Sequence, residues 1–212
     1  MTWSKGSVLK KLAAHNDYPR HDANRNDKSI STKKHFVPSQ KRSNKSLIPA
    51  AVLVPLVNRK DEITVLLTKR TDHLNNHAGQ ISFPGGQMDQ NDRSPEHTAL
   101  RETEEEIGLT GQLVEVVDHL NDYVVGTGFL VSPVIGFIEP PFLLNPDENE
   151  VAEVFEAPLY FITHPDNFEH HTRKINQIER SFVAIQWNDR LIWGATAGIL
   201  RDLSHRLWTD VQ

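Results

Sequence analysis

The chain has 212 residues, of which 38% are hydrophobic and 24% are charged, with a formal net charge of −5, values that indicate one domain of average size plus an extension. It contains no cysteine, which excludes a disulfide framework, a thiolate metal site and a cysteine nucleophile. No apolar run approaches the ~18 residues that a membrane-spanning helix needs, so we expect a cytoplasmic protein without a membrane partner.

The first 45 residues differ in charge from the rest of the chain. They contain 11 Lys and Arg against 3 Asp, and they are polar with few large apolar side chains. Such a composition cannot bury much surface. We therefore expect residues 1–45 to form a basic extension that wraps loosely or stays mobile, followed by a folded domain over residues 46–212. A nucleic-acid-binding arm is the sharper alternative, but interspersed aspartates argue against it and against a mitochondrial presequence.

Apolar, β-branched runs predict the strands of the domain. Residues 50–57 and 62–69 flank a polar turn and predict a hairpin. Pro55 suggests that the first of these strands lies at a sheet edge or carries a bulge. Five further segments predict strands: 80–83, 113–120, 131–138, 181–187 and 191–193. Together with a helix near residues 195–207 and an earlier acidic one, these segments predict an α/β fold, an α/β/α sandwich with a mixed β-sheet.

The acidic helix is predicted over residues 95–107. Ser94 is a favourable N-cap, and Pro95 suits the first helical position. Gly108 stands where a residue in the left-handed conformation ends a helix. The local signals therefore define both ends of this helix.

Three glutamates share one face of this helix. Glu102, Glu105 and Glu106, at spacing i, i+3, i+4, fall within an arc of roughly 100°. Two carboxylates about 5 Å apart repel by about 3 kcal/mol at an effective dielectric of ~20, so the patch costs stability unless a cation occupies it. A hard divalent ion, Mg²⁺ or Mn²⁺, suits such oxygen ligands. A solvated acidic face is the alternative interpretation.

The stretch from Gly86 to Leu109 resembles the Nudix box, G-x5-E-x7-R-E-U-x-E-E-x-G-U, where U is apolar. The match is close from Arg101 onward. Upstream, Asp92 stands where Glu is usual, and eight residues rather than seven separate it from Arg101. The resemblance implies the Nudix fold, metal ions on the three glutamates, and hydrolysis of a diphosphate. It also implies that Arg101 orients a glutamate by ion pairing.

A second resemblance is more specific. Residues 66–70 and 79–86 are similar to the element LLTxR[SA]x3Rx3Gx3FPGG of the coenzyme A pyrophosphatases, with Thr71 at the small position and Asn75 at the second arginine. Three later segments also look like this subfamily: 131–136, 150–151 and 193–197. The resemblance implies cleavage of coenzyme A (CoA) to 4′-phosphopantetheine and adenosine 3′,5′-bisphosphate. We expect a monomer or a homodimer with a small-molecule substrate.

Other candidate residues surround the glycine turn. Arg70 and His77 can meet substrate phosphates, although a packed or hydrogen-bonded histidine is an equally good interpretation of His77. Gly85 and Gly86 let the backbone bend sharply and approach the metal site. Nudix enzymes often recruit a further acid from a distal loop, and Glu150 is our candidate for it.

Three functions remain open on the sequence. The first is a CoA pyrophosphatase. The second is a Nudix hydrolase for another diphosphate, such as ADP-ribose or a nucleoside triphosphate. The third is a Nudix-fold binding module without catalysis, which the intact acidic triad disfavours because a binding module does not need three clustered carboxylates.

Overall fold

The computed structural model describes residues 2–14, 47–72, 79–175 and 178–209. It contains four α-helices in these ranges: α1 Lys5–Ala14, α2 Pro95–Ile107, α3 Leu159–Thr163 and α4 Ala195–Trp208. It contains eleven strands in the same ranges: β1 Ile48–Asn58, β2 Ile63–Arg70, β3 Ile81–Ser82, β4 Gly85–Gln87, β5 Val114–His119, β6 Tyr123–Val124, β7 Phe129–Ile138, β8 Val151–Pro158, β9 Glu169–Ile175, β10 Ile178–Trp187 and β11 Arg190–Trp193.

The larger sheet is built around a parallel pair, β1 and β7, whose register runs from Ile48 opposite Phe129 to Val57 opposite Ile138. The strand order is β3-β2-β1-β7-β5, with β4 paired to β1, β6 to β7 and β8 to β2. Apart from β1 and β7, the pairs in this sheet are antiparallel. The sheet is therefore mixed, as the sequence predicted.

Pro55 corrects one expectation, because β1 is a central strand rather than an edge strand. On one side β1 pairs continuously with β7. On the other side it pairs with β4 over residues 50–52 and with β2 over residues 56–58. Pro55 lies between these two paired stretches, where its missing N–H removes no ladder hydrogen bond. A central strand thus tolerates a proline at this position.

The alternation of side chains along β1 divides the core between two helical layers. Ala51 and Leu53 pack with Ala99 of α2. Val54 and Leu56 point to the other face and belong to the cluster that includes the buried leucines of α4. Helices therefore cover both faces of the sheet, and the predicted α/β/α sandwich is confirmed.

The C-terminal part forms a second, three-stranded sheet of order β11-β10-β9. The predicted hairpin is present, with Trp187 opposite Arg190 next to the turn. Ile185 and Ile192 are fully buried and join the main core, so this sheet packs against the larger one. None of the helices in the described ranges is long and apolar enough to cross a membrane.

The N-terminal extension differs from the expected loose or mobile segment, at least over residues 2–14. Here α1 packs on α4, with Val8 fully buried and Leu12 almost so. The ring of Trp3 contacts that of Trp208 edge-on, and Lys5 bridges Glu115 and Glu139 at 2.8 and 2.7 Å. This segment adds to the core. Residues 15–46 lie outside the described ranges, so the expectation for them stays a prediction.

Candidate active site

Helix α2 carries the acidic face and begins and ends where the sequence predicted. The Ser94 hydroxyl accepts a hydrogen bond from the His97 N–H at 3.3 Å. Gly108 adopts φ 70° and donates its N–H to the Glu104 carbonyl at 2.9 Å. Because Ala99 and Ile107 are buried against the sheet, the rotation of α2 is fixed and its glutamates are held relative to the neighbouring strands.

Glu106 is the buried acid of the site, with a side chain only 7% exposed. Its Oε2 accepts a hydrogen bond from the Gly85 N–H at 3.2 Å, and its Oε1 lies 3.6 Å from Arg70 Nη1. Burial raises the pKa of Glu106 to about 7, and the charges of Glu150 and Glu102 contribute, against the Gly85 N–H and Arg70. Glu106 therefore exchanges its proton near neutral pH and is poised for a positively charged ligand.

Glu102 lies one turn before Glu106 and faces the glycine turn. Burial raises its pKa, and Glu105 and Glu150 add to the effect, whereas a hydrogen bond from Arg101 opposes it. A Cβ at Gly86 would collide with the carboxylate of Glu102. The absence of a side chain at Gly86 therefore allows the backbone of β4 to lie directly against this acid.

Gly85 has a different reason to be glycine. Its φ is +150°, a conformation that residues with a side chain rarely adopt. A Cβ at this position would collide with the Ala51 carbonyl and the backbone of Val52. Only glycine therefore brings the Gly85 N–H to Glu106 while β4 stays paired with β1.

Arg101 connects the acidic helix to the loop before it. Its guanidinium donates to both carboxylate oxygens of Asp92, at 3.1 and 2.8 Å. Its Nη1 also lies 2.8 Å from a Glu102 oxygen and 2.9 Å from a Glu105 oxygen. These bonds, that to Asp92 first, raise the pKa of Arg101. The Arg101 guanidinium thus bridges Glu102 and Glu105, in keeping with the orienting role that the sequence resemblance implies.

Asp92 is the residue of this site that the sequence analysis left without a role. Its side chain is almost fully buried. The hydrogen bonds from Arg101, supported by the Asp89 N–H and the Thr98 hydroxyl, hold the pKa of Asp92 well below its usual range. The signal was present in the sequence, since Asp92 stands close to the position where the Nudix box has a glutamate.

Glu150 stands at the start of β8, and the structure brings it to the helix. Its carbonyl accepts the Thr71 N–H at 3.0 Å, which ties this loop to the end of β2. Its charge raises the pKa of both Glu102 and Glu106. The predicted additional acid therefore lies within electrostatic reach of the buried glutamates, although it stands 44 positions after Glu106 in the sequence.

Of the remaining predicted site residues, the structure describes Arg70 and Glu105 but not His77. Arg70 lies at the end of β2 with its guanidinium directed at Glu106. Glu105 is on the outer side of the helix, with a side chain 59% exposed and in contact with Arg101. His77 and Asn75 fall in residues 73–78, outside the described residues, so the prediction for His77 stays open.

The donor chemistry fits a hard divalent cation. All candidate ligands are carboxylate oxygens, and the pKa values of Glu102 and Glu106 are raised because burial and neighbouring charges disfavour ionisation. A divalent ion would relieve both effects. Within the described ranges, however, no three acid or histidine side chains already stand in a metal-binding arrangement. The ligand set Glu102, Glu105 and Glu106 therefore stays a prediction.

The chain is similar in sequence to known proteins. The family model described as the NUDIX domain matches residues 47–184. A Yersinia enterocolitica protein named uncharacterized Nudix hydrolase NudL is 40% identical over 162 residues, which is 74% of this chain and 80% of the relative. A protein of the same name from Escherichia coli is 40% identical over 73% of this chain and 80% of its own length. A solved MutT/nudix family protein from Enterococcus faecalis superposes with a TM-score of 0.48 at 20% identity, covering 78% of this chain and 62% of that one.

Proposed function

This chain belongs to the Nudix family, and from that premise we propose that it hydrolyses the diphosphate of CoA and its derivatives to 4′-phosphopantetheine and adenosine 3′,5′-bisphosphate. The observation that carries the proposal is the meeting of Glu102, Glu106 and Glu150 with Arg70 at the glycine turn. Clustered carboxylates beside an arginine suit a polyanionic substrate bound together with a divalent ion.

The residues of the chain have separate tasks in this proposal. Arg70 binds phosphate oxygens of the substrate, since a guanidinium donates paired hydrogen bonds to them. Arg101 positions Glu102 and Glu105 from its fixed contact with Asp92. Glu102, Glu105 and Glu106 would hold Mg²⁺ or Mn²⁺, which supplies charge neutralisation and an activated water.

Glu106 and Glu150 take part as acids. With a pKa of about 7, Glu106 can hold or release a proton near neutral pH, the range in which general acid–base groups are most effective. Glu150 is exposed, so a substrate bound at the acidic helix can reach its carboxylate.

The choice of CoA among diphosphates rests on three of the five stretches that resemble the CoA pyrophosphatases. Residues 66–70 form the end of β2, residues 79–86 contain β3 and the glycine turn, and residues 193–197 join β11 to α4. The hydroxyl of Thr196 donates to the Ile81 carbonyl at 3.0 Å in the core. These stretches are thus neighbours, as parts of one substrate-binding region would be.

A turnover screen tests the proposal. The full chain is incubated with Mg²⁺ or Mn²⁺ and separately with CoA, acetyl-CoA, ADP-ribose, NADH and nucleoside triphosphates. We expect cleavage of CoA and its thioesters, with ¹⁸O from water recovered in one of the two phosphate products. Turnover of ADP-ribose or a nucleoside triphosphate with CoA untouched would identify Asn75 as a mark of changed specificity. Absence of any turnover would favour a binding module.

A further inference from the structure

A pocket of about 260 Å³ lies where the end of β2 meets β3, β8 and the β10–β11 hairpin. Its lining includes Lys69, Gly79, Ile81 and Trp193. These residues come from stretches 66–70, 79–86 and 193–197, which resemble the CoA pyrophosphatases. Stretches separated by more than 100 residues in the sequence thus contribute to one concavity. Such convergence is expected of a substrate subsite. Cleavage of a diphosphate does not by itself require it.

Of the two cations in the pocket lining, only Arg190 contacts the acids. Lys69 lies opposite Glu153 in the β2–β8 ladder, but the Glu153 carboxylate forms its ion pair with Arg190. Arg190 also pairs with Asp189 at 2.9 Å, and its guanidinium lies 4.7 Å from the centre of the Phe155 ring. Arg190 therefore contacts both acids of the pocket.

The ammonium group of Lys69 forms no ion pair of this kind with any described residue. Among the described residues, no carboxylate lies within 4.0 Å of its ammonium group. The same pocket is lined by Leu191, which is 41% exposed, and by the half-buried Trp193. An ammonium without an ion-pair partner and an indole in one pocket suit a ligand that carries both an anion and a flat ring.

Lys69 and Arg70 also have a defined relation to each other. They are consecutive in β2, so their side chains point to opposite faces of the strand. Arg70 points toward Glu106 on the α2 side, and Lys69 points into the pocket. Lys69 and Arg70 thus present cations to different surfaces of the sheet.

We propose that this pocket binds the 3′-phosphorylated adenosine of the substrate, with Lys69 pairing the 3′-phosphate and Trp193 contacting the adenine. The inference rests on the proposed function, because the 3′-phosphate is the group that distinguishes CoA from 3′-dephospho-CoA and from ADP-ribose. Lys69 is then a specificity-determining residue, and Arg70 serves the diphosphate.

The test compares CoA with 3′-dephospho-CoA as substrates of the full chain. A hydrogen bond to a charged group contributes roughly 1.5–3 kcal/mol, so Lys69→Gln should raise the ratio of KM for CoA to KM for 3′-dephospho-CoA about 10-fold or more. Lys69→Arg keeps the charge and should restore most of the ratio. Lys60→Gln, at an exposed position in the β1–β2 turn, is the matched control and should leave the ratio unchanged.

Binding measurements separate this inference from the proposed function. Titration calorimetry of the full chain should show tighter binding of adenosine 3′,5′-bisphosphate than of adenosine 5′-monophosphate, with the difference lost in Lys69→Gln. Trp193→Leu should weaken both ligands. If wild type cleaves CoA but Lys69→Gln alters neither the KM ratio nor the bisphosphate preference, the pocket assignment is overturned while the proposed function stands. If wild type leaves CoA intact, the proposed function fails and the bisphosphate titration still decides the pocket.

Discussion

The guanidinium of Arg101 donates two hydrogen bonds to the carboxylate of Asp92, from Nε to Oδ1 at 3.1 Å and from Nη2 to Oδ2 at 2.8 Å. The pair fastens the loop that precedes α2 to the middle of that helix. Because Arg101 also contacts Glu102 and Glu105, Asp92 determines the position of the acidic face without belonging to it.

Asp92→Asn should therefore destabilise the protein. Removal of one partner of a buried ion pair leaves the other charge uncompensated, at a cost of 3–5 kcal/mol for a fully buried pair. Arg101 is partly exposed, so we expect a loss of about 3 kcal/mol in the free energy of unfolding, measured by urea denaturation at pH 7. Asp89→Asn, in the same loop, is the control. A stability equal to that of wild type would show that the Asp92–Arg101 pair contributes nothing to folding.

Gly86→Ala should lower turnover about 100-fold while the protein stays folded. The added Cβ meets the carboxylate of Glu102. Displacement of a catalytic group by about 1 Å lowers the rate about 100-fold. Gly126→Ala is the matched control, because a Cβ there meets nothing within 4 Å. Steady-state rates and circular dichroism are measured for both. Normal turnover of Gly86→Ala would mean that Glu102 is not part of the reacting site.

Glu105→Gln and Glu106→Gln should each reduce turnover at least ~100-fold, because in the proposed function each would remove a charged ligand of the metal ion. Glu104→Gln, on the exposed side of the same helix, should keep the wild-type rate. Folded Glu105→Gln and Glu106→Gln proteins with near wild-type rates would refute the metal-site assignment.

The raised pKa of Glu106 predicts a specific pH dependence of stability in the absence of metal. Between the ordinary value of 4.5 and the folded value of about 7, the folded state holds a proton that the unfolded state has lost, so stability falls as pH rises. The full effect is about 3 kcal/mol. Relative to wild type, Glu106→Gln should gain this amount between pH 4.5 and 8 in EDTA, since Gln cannot ionise.

The same denaturation series with Glu104→Gln provides the control for Glu106. Its stability difference from wild type should stay constant across that pH range. A constant difference for Glu106→Gln as well would show that the Glu106 carboxylate titrates in the folded protein as it does in the unfolded one.

Truncation of a buried side chain in α1 should destabilise the domain. Leu12 is 2% exposed and belongs to the main core, so Leu12→Ala should cost roughly 2–5 kcal/mol, observed as a lower thermal midpoint. Lys10→Ala, two residues earlier and exposed, should cost little. Equal midpoints for Leu12→Ala and wild type would restore the expectation that this segment wraps the domain only loosely or stays mobile.

Features that depend on neighbouring residues could be predicted from the sequence alone. The bounds of α2 follow from Ser94, Pro95 and Gly108, whose side chains and backbone conformations act within one helical turn. The hairpin of β1 and β2 and that of β10 and β11 follow from apolar runs around short polar turns. The glycine turn and the acidic helix are local as well, which explains why the resemblance to the Nudix box could be recognised from residue spacing.

Tertiary structure decided the features that depend on residues distant in sequence. Pro55 occupies a central strand because two different partners leave a gap opposite it. Glu150 joins Glu102 and Glu106 because β8 pairs with β2, and α1 is ordered because α4 offers an apolar surface. Spacing along the chain places three glutamates on one arc, but burial and the position of Arg101 make Glu106 a buried acid and leave Glu105 in solvent. Burial and pairing are properties of the packed chain, and a local pattern cannot specify them because they depend on which distant segments fold against it.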